Sequence, residues 1–188
     1  MLLRRVEGYG IHKSWTSLDR ISANLVRAVI ASDDTRFCNH HGFDWNAIET
    51  AWGRYRSRRG RLLSASTISM QTAKNVFLWP GRDLVRKAFE AYFTVLIEIA
   101  WGKQRIMEVY LNVVEWGPGI YGTEAATRHY FQKPAAALTI GGAVRLGAVL
   151  PDPFNWSPLR PTRRVLARNA AIYSNMAAAV QRCSRPAG

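Results

Sequence analysis

Three acids stand close together between Asp33 and Asp44, in a chain with few to spare. Its 188 residues include 13 Asp and Glu against 26 Lys and Arg. Asp33 and Asp34 are adjacent, Arg36, Phe37, His40, His41 and Gly42 follow, and Asp44 closes the stretch. A carboxylate within reach of a hydroxyl can serve as a general base, so this group is a candidate for proton transfer. A second set of groups lies further on. Lys74 and Asn75 end a polar stretch that begins at Ser66, and Arg82, Arg86 and Glu90 recur at every fourth position, one face of a helix. A carboxylate held beside two guanidiniums stays ionised at neutral pH. Forked guanidiniums together with a lysine point charge suit a phosphate-bearing group.

These groups need helices to position them. Ser22 is a plausible N-cap for a helix with Leu25, Val26, Val29 and Ile30 on one stripe, ending near Ser32 and delivering Asp33 and Asp34 to a loop. Asp44 can cap a second helix from Trp45 to about Tyr55, with Ile48 and Trp52 inward. The stretch from Ser64 to Leu78 starts polar and runs into a helix, which Pro80 and Gly81 stop. From Arg82 to Trp101 the apolar positions Val85, Phe89, Tyr92, Leu96 and Ile99 keep helical spacing, which predicts the central core helix. Further helices are expected over Lys103 to Asn112, Thr123 to Phe131, Ala143 to Leu150 and Arg163 to Arg182. Gly117, Gly119 and Gly122 read as a turn-rich connector, and no β-hairpin is convincing. The fold class is therefore mainly α, with residues 1–20 a leader or surface strand and 21–188 a single domain.

The formal charge of +13 and a pI near 10.5 favour anionic partners such as phosphorylated substrates or lipid headgroups. Nucleic acid would satisfy the charge, but neither an aromatic platform in a basic groove nor a docking helix accompanies it, so no nucleic-acid partner is expected. The basic run from Arg54 to Arg61 reads either as a solvated loop or as a contact to lipid phosphates. In the second case Trp52, Tyr55, Arg56, Arg58 and Arg59 touch the membrane. Cys38 and Cys183 are too few for a disulfide framework and read as two free thiols. His40, His41 and Asp44 follow no zinc spacing, so no dedicated metal is expected. No signal peptide is visible. The longest apolar stretch, Ala88 to Trp101, carries Glu90 and Glu98 and falls short of the roughly 20 residues a span requires.

Four blocks occur in order: Asp33-Asp34-x-x-Phe37-x-x-His40-x-Gly42-x-Asp44; Ser66-Thr67-Ile68-Ser69-x-Gln71-x-x-Lys74-Asn75; Arg86-Lys87-x-x-Glu90; and Lys103-x-x-Ile106-x-Glu108-x-Tyr110-Leu111-Asn112. From about Leu18 to Pro158 the chain resembles the peptidoglycan glycosyltransferases, and within them the monofunctional biosynthetic transglycosylases. The resemblance implies a lysozyme-like α-helical domain with a membrane-facing substrate groove. It implies polymerisation of lipid II into glycan strands with release of undecaprenyl pyrophosphate. The site would be at the periplasmic face of the bacterial inner membrane, beside other cell-wall synthesis or division proteins. By the same resemblance Asp33 is the general base that takes the acceptor 4-hydroxyl proton, and Glu90 assists the donor side. Lys74, Arg82 and Arg86 hold the pyrophosphate, and Ser66, Gln71, Asn75, Asp34, Phe37 and His40 line the substrate. From the residues themselves Asp34 reads as holding the loop or a neighbouring base rather than reacting. No cofactor is implied, although a divalent cation, Mg or Mn, could bridge pyrophosphate and acid.

The chain departs from the pattern in several places. Asp33 stands where the family has Glu, which draws the carboxylate back by about 1.5 Å. A catalytic group misplaced by about 1 Å can cost on the order of 100-fold, so a slow enzyme is expected. Ser64-Ala65 replaces two glycines, Met70 a glutamine and Gly142 an acid, and the N-terminal anchor that the resemblance implies is not seen, which fits either a truncated start or peripheral membrane binding. These differences leave a catalytically impaired scaffold as an alternative, and a lytic muramidase-type hydrolase as another.

Overall fold

The computed structural model describes residues 12–56, 66–81 and 83–183. Within them eight α-helices run in order: α1 Ala23–Asp33, α2 Trp45–Arg56, α3 Ile68–Phe77, α4 Leu84–Ala100, α5 Lys103–Val113, α6 Thr123–Phe131, α7 Ile140–Val149 and α8 Arg163–Cys183. Short 3-10 turns at Leu18–Arg20, Phe37–Asn39 and Ala135–Ala137 link them.

Two groups of helices meet at the C-terminal end of α1. On one side α1 packs against α7 and α8; on the other α3 packs against α4 and α5. Local chemistry sets the boundaries. Ser22 Oγ accepts the Asn24 N–H at 3.3 Å, Asp44 Oδ1 accepts that of Ala47 at 3.0 Å, and Asp83 Oδ1 accepts that of Arg86 at 2.7 Å. Each satisfies a donor that a helix start leaves unpaired. The close approach of α7 to α1 rests on Gly147, where a Cβ would stand 3.3 Å from the Ala28 carbonyl oxygen. The core between these elements is built from Leu25, Ala28, Val29, Ile68, Ile106, Tyr110, Leu111, Val144, Leu146 and their neighbours.

Three expectations are corrected. The glycine-rich connector contains a β-hairpin: β2 Glu115–Gly117 pairs antiparallel with β3 Ile120–Tyr121, and β1 His12–Lys13 joins β3 in parallel. The hairpin was hidden because its strands are two and three residues long, too short for an alternating pattern to show. Cys38 is disulfide-bonded, not a free thiol. And α4 is not a core helix of the expected kind. Its buried row is Glu90, Thr94 and Ile97. The apolar row instead faces out, with Leu84 88%, Val85 62%, Tyr92 58% and Ile99 79% exposed.

Candidate active site

Asp33 is the last residue of α1, where the helix meets α5 and α8. Its side chain is only 9% exposed. Ser32 Oγ lies 2.8 Å from Asp33 Oδ1 and 2.9 Å from the Gly147 carbonyl oxygen, and accepts from Arg168 Nη2 at 2.9 Å. The same guanidinium nitrogen is 3.6 Å from Asp33 Oδ1. On the other side the Tyr110 hydroxyl lies 3.2 Å from both Asp33 Oδ2 and Gln71 Oε1. With a single proton, it donates to one of them at a time. Burial raises the Asp33 pKa above the usual 3.8. Ser32, Arg168 and Tyr110 oppose the rise, and the charge of Asp34 adds a little to it. Burial and the facing Asp33 charge also raise Tyr110 well above 10.0, so it remains a hydrogen-bond donor.

Asp34 does a different job from its neighbour. Both its oxygens lie 3.0 Å from His40 Nε2, and Oδ2 accepts the Ile68 N–H at 3.0 Å. It therefore ties the loop to the first turn of α3, where a carboxylate is favoured. Thr67 caps the same helix through the Met70 N–H and donates its hydroxyl to the Gly42 carbonyl at 2.6 Å. Gly42 has φ +88°, and a Cβ there would stand 2.8 Å from Thr94 Cγ2. Phe37 is buried in the core, with the Lys103 ammonium 4.7 Å from its ring centre. Asp34, Phe37 and His40, all named for the substrate by the resemblance, are buried, and the bonds of Asp34 fit the loop-holding role also read for it from sequence.

The second cluster sits on α3 and α4. Glu90 is 2% exposed and accepts from Arg86 Nη1 at 3.3 Å and Lys87 Nζ at 2.5 Å. Burial lowers the Lys74 pKa below 10.5. The negative charge of Glu90 pulls it back up, while the Arg86 and Lys87 cations push it down. Those influences put Lys74 in the field of all three groups. Gln71 and Lys74 are one turn apart on α3, spacing that places them on one helix face. Gln71 meets the Asp33 cluster through Tyr110, and one turn on Lys74 feels the charges of the Glu90 cluster, so α3 runs from one towards the other.

Other proposed site residues fall as follows. Ser66 is half-buried just before the Thr67 cap, and Asn75 is exposed near the end of α3. Trp52, expected inward on α2, is instead exposed, as is Arg56, which leaves both available for the membrane contact also read for them. Arg58, Arg59 and Arg82, and the side chain of Tyr55, lie outside the described residues. Lys103 pairs with Glu98 at 2.6 Å, and Glu108 accepts the Leu18 N–H at 3.2 Å, so both brace the scaffold. Ser32, Tyr110, Lys87 and Arg168 were not singled out for the site from sequence. Tyr110 and Lys87 stand inside the motif blocks, where a polar residue among apolar ones was the available signal. Arg168 lies on α8, among several arginines, and nothing local distinguishes it.

The family model described as Transglycosylase matches residues 2–177. The chain belongs to the transglycosylase family. It is 54% identical over 178 residues to the biosynthetic peptidoglycan transglycosylase of Rhodospirillum centenum, covering 94% of this chain and 77% of that protein. To the protein of the same name from Caulobacter vibrioides it is 51% identical over 172 residues, 92% and 75% of the respective lengths. To that of Bdellovibrio bacteriovorus it is 49% identical, covering 95% and 71%. All four motif blocks lie inside the stretch matched by the family.

Proposed function

We infer that this transglycosylase is a peptidoglycan glycosyltransferase that polymerises lipid II into glycan strands and releases undecaprenyl pyrophosphate. The observation that carries the reading is the pairing of two unlike clusters across one turn of α3. One is a buried carboxylate with a raised pKa; the other is a set of cations around Glu90. Asp33 takes the proton of the acceptor 4-hydroxyl as that oxygen bonds to the donor anomeric carbon. The bond from that carbon to the pyrophosphate oxygen breaks, and the electron pair leaves with the phosphates. Lys74, Arg86 and Lys87 neutralise the charge that develops there. Glu90 keeps these cations gathered when no phosphate is bound. Arg82 would join them by its place in the motif. A divalent ion, Mg or Mn, would act at the same phosphates.

The outward face of α4 supports a location for this chemistry at a membrane surface. Ring contacts run without a break from Trp79 to Phe89, Phe93, Phe77 and Trp101, and from Phe93 to Tyr92. With Val85, Leu96 and Ile99 they form an exposed apolar and aromatic surface beside the Glu90 cluster. Such a surface suits the headgroup boundary of a bilayer, and Trp52 and Arg56 on α2 extend the contact. Seated there, the cations lie at the depth of a lipid-linked pyrophosphate. No helix among the described residues is long and apolar enough to cross a membrane. A disulfide at Cys38 fits an oxidising compartment, in keeping with the periplasmic face of the bacterial inner membrane, where other wall-building or division proteins would be neighbours.

Labelled lipid II in detergent tests the reading. A ladder of lengthening glycans with stoichiometric undecaprenyl pyrophosphate is expected, and Glu90→Gln should abolish it. Shortening of preformed glycan without use of lipid II would instead indicate a hydrolase. The cationic cluster speaks against that, because finished glycan carries no pyrophosphate. Absence of turnover by both the parent and Asp33→Glu would leave the impaired scaffold.

A further inference from the structure

Asp33 is held from a direction that the motif blocks do not supply. Arg168 projects from α8, 135 positions further along the chain, and its Nη2 reaches both Ser32 Oγ at 2.9 Å and Asp33 Oδ1 at 3.6 Å. Its Nε is buried with no hydrogen-bond partner, so the Nη2 end makes the contact. The Ser32 hydroxyl accepts from the guanidinium, which frees its one proton for Asp33 Oδ1 or the Gly147 carbonyl. A guanidinium cannot lose its charge at any working pH, so this clamp is permanently cationic.

We propose that Arg168, acting through Ser32 and directly, is a positioning residue that keeps Asp33 ionised and fixes which of its oxygens is turned inward. Two consequences follow. Oδ1 is committed to Ser32 and Arg168, so Oδ2, on the Tyr110 side, is the oxygen that receives the acceptor proton. And the carboxylate that is short by one methylene is held at a fixed place instead of swinging. Among the described residues the groups facing Asp33 are few. Ser32 and Asp34 come from its own helix and its continuation, Tyr110 from α5 and Arg168 from α8, while the Gly147 carbonyl from α7 meets Ser32. Among the charged groups in that set Arg168 is the cation, and Asp34 is engaged with His40.

This proposal rests on Asp33 being the base, and its test separates the two ideas. The pH dependence of kcat/KM for glycan formation is measured on the parent, Arg168→Gln, Arg168→Lys, Ser32→Ala and Asp33→Asn, with thermal midpoints recorded for each. Removing the cation should move the acidic limb to higher pH by about one pH unit, with activity largely recovered above it. Arg168→Lys should keep the limb near that of the parent, because the charge remains. Ser32→Ala should move it in the same direction as Arg168→Gln but less. If Asp33→Asn is inactive and the limb of Arg168→Gln does not move, the clamp is overturned while the base stands. A uniform loss at every pH, tracking a lowered thermal midpoint and equal in Arg168→Gln and Arg168→Lys, also overturns it, since that is what a purely structural residue would give. Full activity of Asp33→Asn would remove the base and the clamp together.

Discussion

Burial pushes the Asp33 carboxyl above its ordinary value, and Ser32, Arg168 and Tyr110 pull it back. A general base works only when deprotonated, so the acidic limb of kcat/KM should lie above 3.8, the usual value for Asp. A limb at or below it, read from lipid II turnover across pH, would show that burial does not govern this group. The sign for stability is the reverse. The folded chain holds this proton more tightly than the unfolded one, so the group weighs against folding increasingly as pH rises through its folded value. Tyr110→Phe removes one donor to Asp33, and should move the limb further up at a stability cost of about 1 kcal/mol, measurable by urea unfolding. If the family resemblance is right in giving this position to Glu, Asp33→Glu should speed turnover, by up to about 100-fold. No gain would mean that the backbone already compensates. The distinction between Asp33 and Asp34 was only partly legible in the sequence. Adjacency marks both as candidates, but only the fold shows one facing Tyr110 and the other locked to His40 and the Ile68 N–H.

Among the elements, the loop between α1 and α2 depends on Gly42 and on the start of α3. A left-handed φ of +88° with Thr94 Cγ2 only 2.8 Å from where a Cβ would be leaves no room for a side chain. Gly42→Ala should therefore cost about 1–2 kcal/mol from the backbone conformation alone, before the clash, and show as a lowered thermal midpoint. It should also weaken activity, because the Gly42 carbonyl receives Thr67, the cap of the helix that runs from one cluster towards the other. Helix positions were readable from period and caps: Ser22, Asp44 and the Lys103 start fall where the residues predict. The direction in which α4 faces was not. Its period is helical whichever way the apolar row points, and burial of Glu90 in place of Tyr92 follows from the cations gathered around it. That outward row is testable. Replacing Val85 and Ile99 together with serine should reduce sedimentation with anionic vesicles while leaving the thermal midpoint close to that of the parent. A large fall in midpoint would mean that the row is packed in the folded protein.

At the scale of the whole molecule, a chain carrying +13 presents an aromatic surface next to a cationic cluster, and the proposed function has the two acting together on a lipid-linked anion. Vesicle binding should weaken as salt rises, because part of the attraction is long-range and screened within about 10 Å at 0.1 M. A residual, salt-insensitive part should remain from the apolar face of α4. Binding that is wholly salt-insensitive would give the basic residues no role. The family was legible because four spaced blocks survive in order, and they mark the residues around which the two helix groups close. What spacing could not convey is the meeting of distant segments: Arg168 at the end of α1, the disulfide at Cys38, and the small sheet that ties His12–Lys13 to Ile120–Tyr121. The first and the last of these depend on the packing of α8 and of the N-terminal segment, which no local pattern encodes.

The assignment of the base is most directly tested by the rate of glycan formation under saturating lipid II, compared between the parent and Asp33→Asn at matched folded content. A fall of on the order of 100-fold or more is the expected result, since the amide cannot take the acceptor proton. Equal rates for the two proteins would contradict it.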